Sequence, residues 1–174
     1  MPPRNRRRPI QRALRVRRHL KLYQPWARVV SEGAIPVLLR TYSTHIRGWV
    51  GVISAARFDR RTIVNPFGDA VGFPMRSVIG AVRIDRVVPV PQGLSVRRVL
   101  AERFGRTLAS FYPDHYIPSR GRPVYMWMLG AAALSPNPER ATVKTGREWS
   151  RFPYTIRDPV VVYSEISGNG PPKR

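Results

Sequence analysis

The chain has 174 residues, of which 31 are Lys or Arg and 10 are Asp or Glu, a formal charge of +21. It holds no cysteine, which excludes disulfides, thiolate metal sites and a cysteine nucleophile. No apolar run approaches the roughly twenty residues that span a bilayer, so no membrane insertion is expected, and 43% hydrophobic residues supply material for one core, interrupted by 18 prolines and 13 glycines.

The charge is concentrated at the start. Nine arginines and one lysine (Arg4, Arg6, Arg7, Arg8, Arg12, Arg15, Arg17, Arg18, Lys21 and Arg28) precede the first carboxylate, Glu32. Like charges at this density repel one another, whereas phosphates condense on them and release counterions. Residues 1–25 therefore read as an extended arginine-rich tail. Pro2, Pro3 and Pro9 keep its first residues irregular, and 10–22 can form a short helix once neutralised. Rich in arginine and free of acids, the tail also fits a mitochondrial targeting segment. Past Ser31 the chain still carries 21 basic against 10 acidic residues, so the body too is expected to lie against phosphate. All but Lys21, Lys144 and Lys173 of the basic residues are arginine. The guanidinium fork grips phosphate bidentately and stacks on bases, although a GC-rich genome produces the same bias.

A single domain is expected over 26–167. Segments 34–42 and 47–53 are rich in Val, Ile, Leu and aromatic residues, and Ser43-Thr44-His45 between them suggests a hairpin. A short run at 61–64 leads into a Gly- and Pro-rich loop over 65–74, and 77–90 reads as a longer strand. Val96, Val99, Leu100, Phe104, Leu108 and Phe111 recur on one helical face. This predicts one helix over 95–112, capped by Ser95 and stopped by Pro113, with Phe104 in the core. Arg97, Arg98, Arg103 and Arg106 stand on its other side, facing either solvent or RNA. Segments 123–132 and 159–167 are the last strands, and 168–174 is a flexible basic tip. The fold class expected is α+β: a small, mostly antiparallel sheet or partly open barrel with one packing helix and an extended basic N-terminal tail.

Catalysis finds no support in the pattern. His19, His45 and His115 lack metal-ligand spacing, and no HExxH, GxSxG, Walker loop or GxGxxG occurs. The carboxylates are scattered singly, most within two positions of an arginine, as in Glu102-Arg103, Glu139-Arg140 and Arg157-Asp158, so local ion pairing is their expected role. No enzyme activity, cofactor, metal or small-molecule substrate is expected. Aromatic and arginine residues do cluster over 111–127, where Arg120 and Arg122 flank a glycine that lets backbone approach a phosphate. Trp127 reads as a core residue, and Trp149, between Arg147 and Arg151, as the partner of an intramolecular cation–π contact.

The nucleic-acid-binding residues expected are Arg4, Arg6, Arg7, Arg8, Arg12, Arg15, Arg17, Arg18 and Lys21, with Arg120 and Arg122. They point to a structural, non-catalytic subunit of a large ribonucleoprotein, most readily a mitochondrial ribosome, contacting RNA phosphates and neighbouring protein subunits. The alternative is an icosahedral capsid protein with a genome-binding arm, which would place the chain in a virion. A second alternative is an accessory subunit of a mitochondrial or cytoskeletal complex; a cytoplasmic ribonucleoprotein is the other location considered. Residues 51–54 and 58–64 resemble the first hairpin of the OB-fold small-subunit ribosomal protein family seventeen, which would imply a small RNA-binding barrel.

Overall fold

The computed structural model describes residues 12–59, 73–114, 117–118, 121–142 and 148–164. In chain order they form β1 (Ala13–Gln24), α1 (Trp26–Ser31), β2 (Val37–Arg40), β3 (Gly48–Phe58), β4 (Ser77–Pro89), α2 (Val96–Phe104), α3 (Arg106–Ser110), β5 (Tyr125–Arg140), β6 (Trp149–Arg157) and β7 (Val160–Tyr163). The strands make one mixed sheet in the order β2-β5-β4-β3-β1-β6, and β7 pairs with β5 beyond the end of β2. All pairings are antiparallel except β1 with β3. An α+β class with a sheet is what the composition predicted, but three helices rather than one pack on it. None of the helices is long and apolar enough to cross a membrane.

The largest departure from expectation is at the start. Of the tail expected over 1–25, residues 1–11 lie outside the described residues and 13–24 are an inner strand, not a helix. Leu14, Val16, Leu20 and Leu22 are all at most 5% exposed. Each is worth about 1.5–3 kcal/mol when buried, while Arg15, Arg17 and Arg18 stay in solvent and forfeit no hydration. Burial thus favours an extended chain without burying charge.

The segments expected to form a hairpin exist as β2 and β3 but do not pair with each other. Arg40 of β2 lies opposite Tyr125 of β5, and β3 lies between β1 and β4. The expected helix over 95–112 is two helices, because Gly105 sits at φ 90, ψ 156, a conformation that ends α2 and that a residue with a Cβ avoids. The Ser95 hydroxyl accepts from Arg98 N–H at 3.5 Å, as expected of the cap. Val99 and Leu100 are buried, Phe104 only half-buried and Phe111 50% exposed, so the core face turns on Leu100 rather than Phe104. Segment 77–90 is strand as read, 123–132 extends on to Arg140, 159–167 contains β7 with its last three residues outside the described ones, and β6 was not anticipated. The run at 61–64 and the tip at 168–174 lie outside the described residues.

Central strands β3, β4 and β5 are covered on both faces. On one side Val50, Val52, Val82 and Ile84 pack with Leu20, Leu22, Trp26 and Val30, and with Leu100 and Tyr112 beyond them. On the other, Ile53, Val78, Ala81 and Ala133 are covered by Leu14 and Val16 of β1 and Ile156 of β6. This two-sided burial explains why these strands read as continuous apolar runs rather than alternating ones.

Candidate nucleic-acid interface

Along β1, Leu14 and Val16 turn inward while Arg15 and Arg17 turn to solvent. A register shift between Val16 and Arg18 interrupts the alternation, which leaves Arg17 and Arg18 both exposed and His19 and Leu20 both buried. On β6 the same period points Arg151, Pro153, Thr155 and Arg157 outward. Arg18 lies directly opposite Arg151 in the β1–β6 ladder. Like charges in that position destabilise a sheet, and among the described residues neither arginine has a carboxylate partner.

Beside this pair Arg15, Arg17 and Arg157 line an open groove of about 650 Å³ with Pro153 and Tyr154. Its one acid, Glu139, accepts the Tyr154 hydroxyl; burial and that carboxylate push the Tyr154 hydroxyl up to about 12. A second recess, of about 300 Å³, lies around Lys21, Arg76 and Arg140.

Between the arginine face and the core lies His19, fully buried. Its ring stacks on Phe152 with centroids 3.9 Å apart and 6° between planes, and meets Tyr154 edge-on at 6.4 Å. Underneath is Gly51, where an added Cβ would stand 2.2 Å from the imidazole Cδ2, so only glycine leaves room for the ring. Neither ring nitrogen has a hydrogen-bond partner among the described residues. Burial lowers its pKa to about 4, and the imidazole is neutral at physiological pH.

Far along β5, Trp127 is fully buried as expected. The cation over its ring is Arg40, at 5.7 Å, and Trp149 stacks on Trp127 at 5.8 Å; Arg147, one of the two arginines expected beside Trp149, lies outside the described residues. Glu148 accepts from Arg40 Nε at 2.8 Å and from the Tyr42 hydroxyl at 2.6 Å, and Trp149 Nε1 donates to that hydroxyl at 3.1 Å. These contacts tie the two edges of the sheet, β2 and the start of β6, together. Burial first, and Glu148 second, push the Tyr42 hydroxyl up to about 12.

Of the residues predicted to bind nucleic acid, Arg4, Arg6, Arg7, Arg8 and Arg120 lie outside the described residues. Arg12, Arg15, Arg17 and Arg18 are exposed at or beside β1 and Lys21 is half-buried on it. Arg122 is exposed before the opposite end of β5 from Arg140, so it does not join them. Arg97 is structural: it donates to the carbonyls of Ala109 at 3.0 Å and Tyr112 at 2.9 Å and pairs with Asp114. The local ion pairing expected is seen in Arg83–Asp85, two positions apart, and in Arg98–Glu102 one helical turn apart, whereas Arg40–Glu148 and Arg97–Asp114 join distant segments. Missed altogether were Arg76, Arg140, Arg151 and Arg157, whose spacing along the chain carries no signal of their proximity to β1.

No family model matches the chain, and no curated protein does. Among solved structures it is similar to ASCH from Zymomonas mobilis, with a TM-score of 0.51 and 13% identity over 78% of this chain and 86% of that one. A point variant of the same protein gives 0.50 and 13%, over 78% and 87%. The fold is ASCH-like. This overturns the expectation of a ribosomal subunit and its two alternatives, a capsid protein and an accessory subunit of a protein complex, since the architecture shared is that of an ASCH protein. A capsid jelly roll would need two antiparallel Greek-key sheets; this ASCH-like chain has one mixed sheet with a parallel pair at its centre. Of the residues that carry the OB-fold resemblance, 51–54 lie in β3 between β1 and β4, with β1 parallel to it, and 60–64 lie outside the described residues.

Proposed function

We propose that the chain is an RNA-binding module that holds single-stranded RNA by its phosphate backbone on the β1–β6 face, without catalysing a reaction. The observation that carries this reading is Arg18 opposite Arg151, a repulsive pair that the fold maintains beside Arg15, Arg17 and Arg157. A phosphate between two such guanidinium groups turns a cost into a pair of charge-assisted hydrogen bonds. Pro153 and Tyr154 in the adjoining groove offer apolar faces to unstacked bases, the usual way proteins read unpaired RNA. Arginine rather than lysine supplies the charge, which suits both backbone and base contacts.

The test is the double variant Arg18→Ala/Arg151→Ala in an RNA-binding titration over a range of salt. Each lost phosphate contact lowers the log–log slope for a single strand by about 0.7, so the double variant loses about 1.4. Removal of the repulsion raises unfolding free energy by a few tenths of a kcal/mol. Binding and stability therefore move in opposite directions. An unchanged slope would refute the reading, and RNA shortened in step with protein concentration would refute its non-catalytic part.

A further inference from the structure

The recess beside the groove has a different character from the groove itself. Its three cations come from separate segments: Lys21 from β1, Arg76 from the residue before β4, and Arg140 from the last position of β5. Ser77 is paired with Arg140, and Ala141 N–H donates to the Arg76 carbonyl at 2.8 Å, so the final rung of the β4–β5 ladder brings both arginines to one rim. Arg76 is held there at φ 50, in the left-handed region that a non-glycine residue occupies at a cost. The floor is apolar, formed by Ile53 and Ala55, and among the described residues no carboxylate lines the recess. Ser54 does not serve as a ligand donor, because its hydroxyl is engaged with the backbone of Ser77 at 3.1 and 3.3 Å.

We propose that this recess binds the terminal phosphomonoester of the RNA strand whose backbone lies on the β1–β6 face; the proposal rests on that reading. The volume of the recess, about 300 Å³, is at the small end of ligand pockets and suits one nucleotide-sized group. A phosphomonoester carries close to two negative charges at neutral pH, an internal diester only one, and the exposed guanidinium groups of Arg76 and Arg140 discriminate in favour of the former. The end of β5 contributes to both, with Glu139 lining the groove and Arg140 the recess.

The experiment uses the full chain and one internally labelled RNA oligonucleotide in three forms: 5′-phosphorylated, 3′-phosphorylated, and hydroxyl at both ends. Wild type should bind one phosphorylated form at least about tenfold more tightly than the hydroxyl form. In Arg76→Gln/Arg140→Gln that preference should vanish while affinity for the hydroxyl form stays within about twofold; both arginines are exposed, and circular dichroism checks the fold. Equal, salt-sensitive affinity for all three forms would overturn the recess as an end-binding site and leave the backbone reading standing. Binding of none would overturn both. A preference that persists in the double variant would put the phosphate elsewhere. Adenosine monophosphate serves as competitor. If it displaces the phosphorylated strand at concentrations comparable with that strand's own dissociation constant, the recess belongs to a free nucleotide and the strand-end proposal fails.

Discussion

His19 makes folding stability depend on pH in a direction and amount that follow from its surroundings. Its pKa is 6.5 in an unfolded chain and about 4 in the fold, because burial penalises the charged ring, and among the described residues neither nitrogen has a partner. As pH falls, the unfolded state binds a proton first. Stability is therefore full above 6.5, declines between 6.5 and 4, and levels off below. Over the whole window the loss is about 3 kcal/mol, and between pH 7.5 and 5.0 it is about 2 kcal/mol. With a urea dependence of about 2 kcal/mol/M, the midpoint should drop by about 1 M over that interval. The assay is a set of urea titrations followed by circular dichroism at several pH values, on wild type and on His19→Phe. The variant keeps an aromatic ring on Phe152 but has nothing to protonate. Its larger ring costs some packing against Gly51, so the comparison rests on the slope with pH and not on absolute stability. The variant should be nearly flat from pH 7.5 to 5.0. Equal slopes in the two proteins would show that His19 is hydrated or paired in the fold, and would refute the reasoning.

Leu100→Ala should cost about 2–5 kcal/mol in chemical denaturation, since the side chain is fully buried between α2 and the sheet, whereas Phe111→Ala, at 50% exposure, should stay within about 0.5 kcal/mol. Glu148→Gln removes two of the influences that raise the Tyr42 hydroxyl, so an ultraviolet titration should find that group ionising below its present value of about 12; no change would mean that burial alone sets it.

The strands readable in the sequence were those whose apolar residues are consecutive or alternate without interruption. Segment 77–90 is one, and Trp127 could be placed in the core from the apolar residues around it. β1 carries the same signal in Leu14, Val16, Leu20 and Leu22, but the register shift after Val16 breaks the alternation, and the density of arginine suggested a solvated tail instead. Pro153 and half-buried aromatics concealed β6 in the same way. The single helix over 95–112 failed because a 3.6-residue period continues across Gly105 in the sequence while the backbone does not. The expected hairpin failed because neighbouring strands in this fold find partners far along the chain. For the candidate site, the arginines of β1 were legible as a basic cluster from charge alone. Arg151, Arg157, Arg76 and Arg140 were not, since they meet β1 only through long-range register.

The position of β1 also bears on how the chain is made. β1 is synthesised first, yet its two partners are β3 and β6, and β6 ends at Arg157. Until β6 has been translated, the backbone groups along one edge of β1 have no strand to meet, and Leu14 and Val16 lack the cover that Ile156 provides. Exposed edges of this kind recruit other chains. Loop closure over such a separation also slows the final step. The clustered arginines on that strand repel those of a neighbouring chain, and that repulsion works against such pairing during the interval.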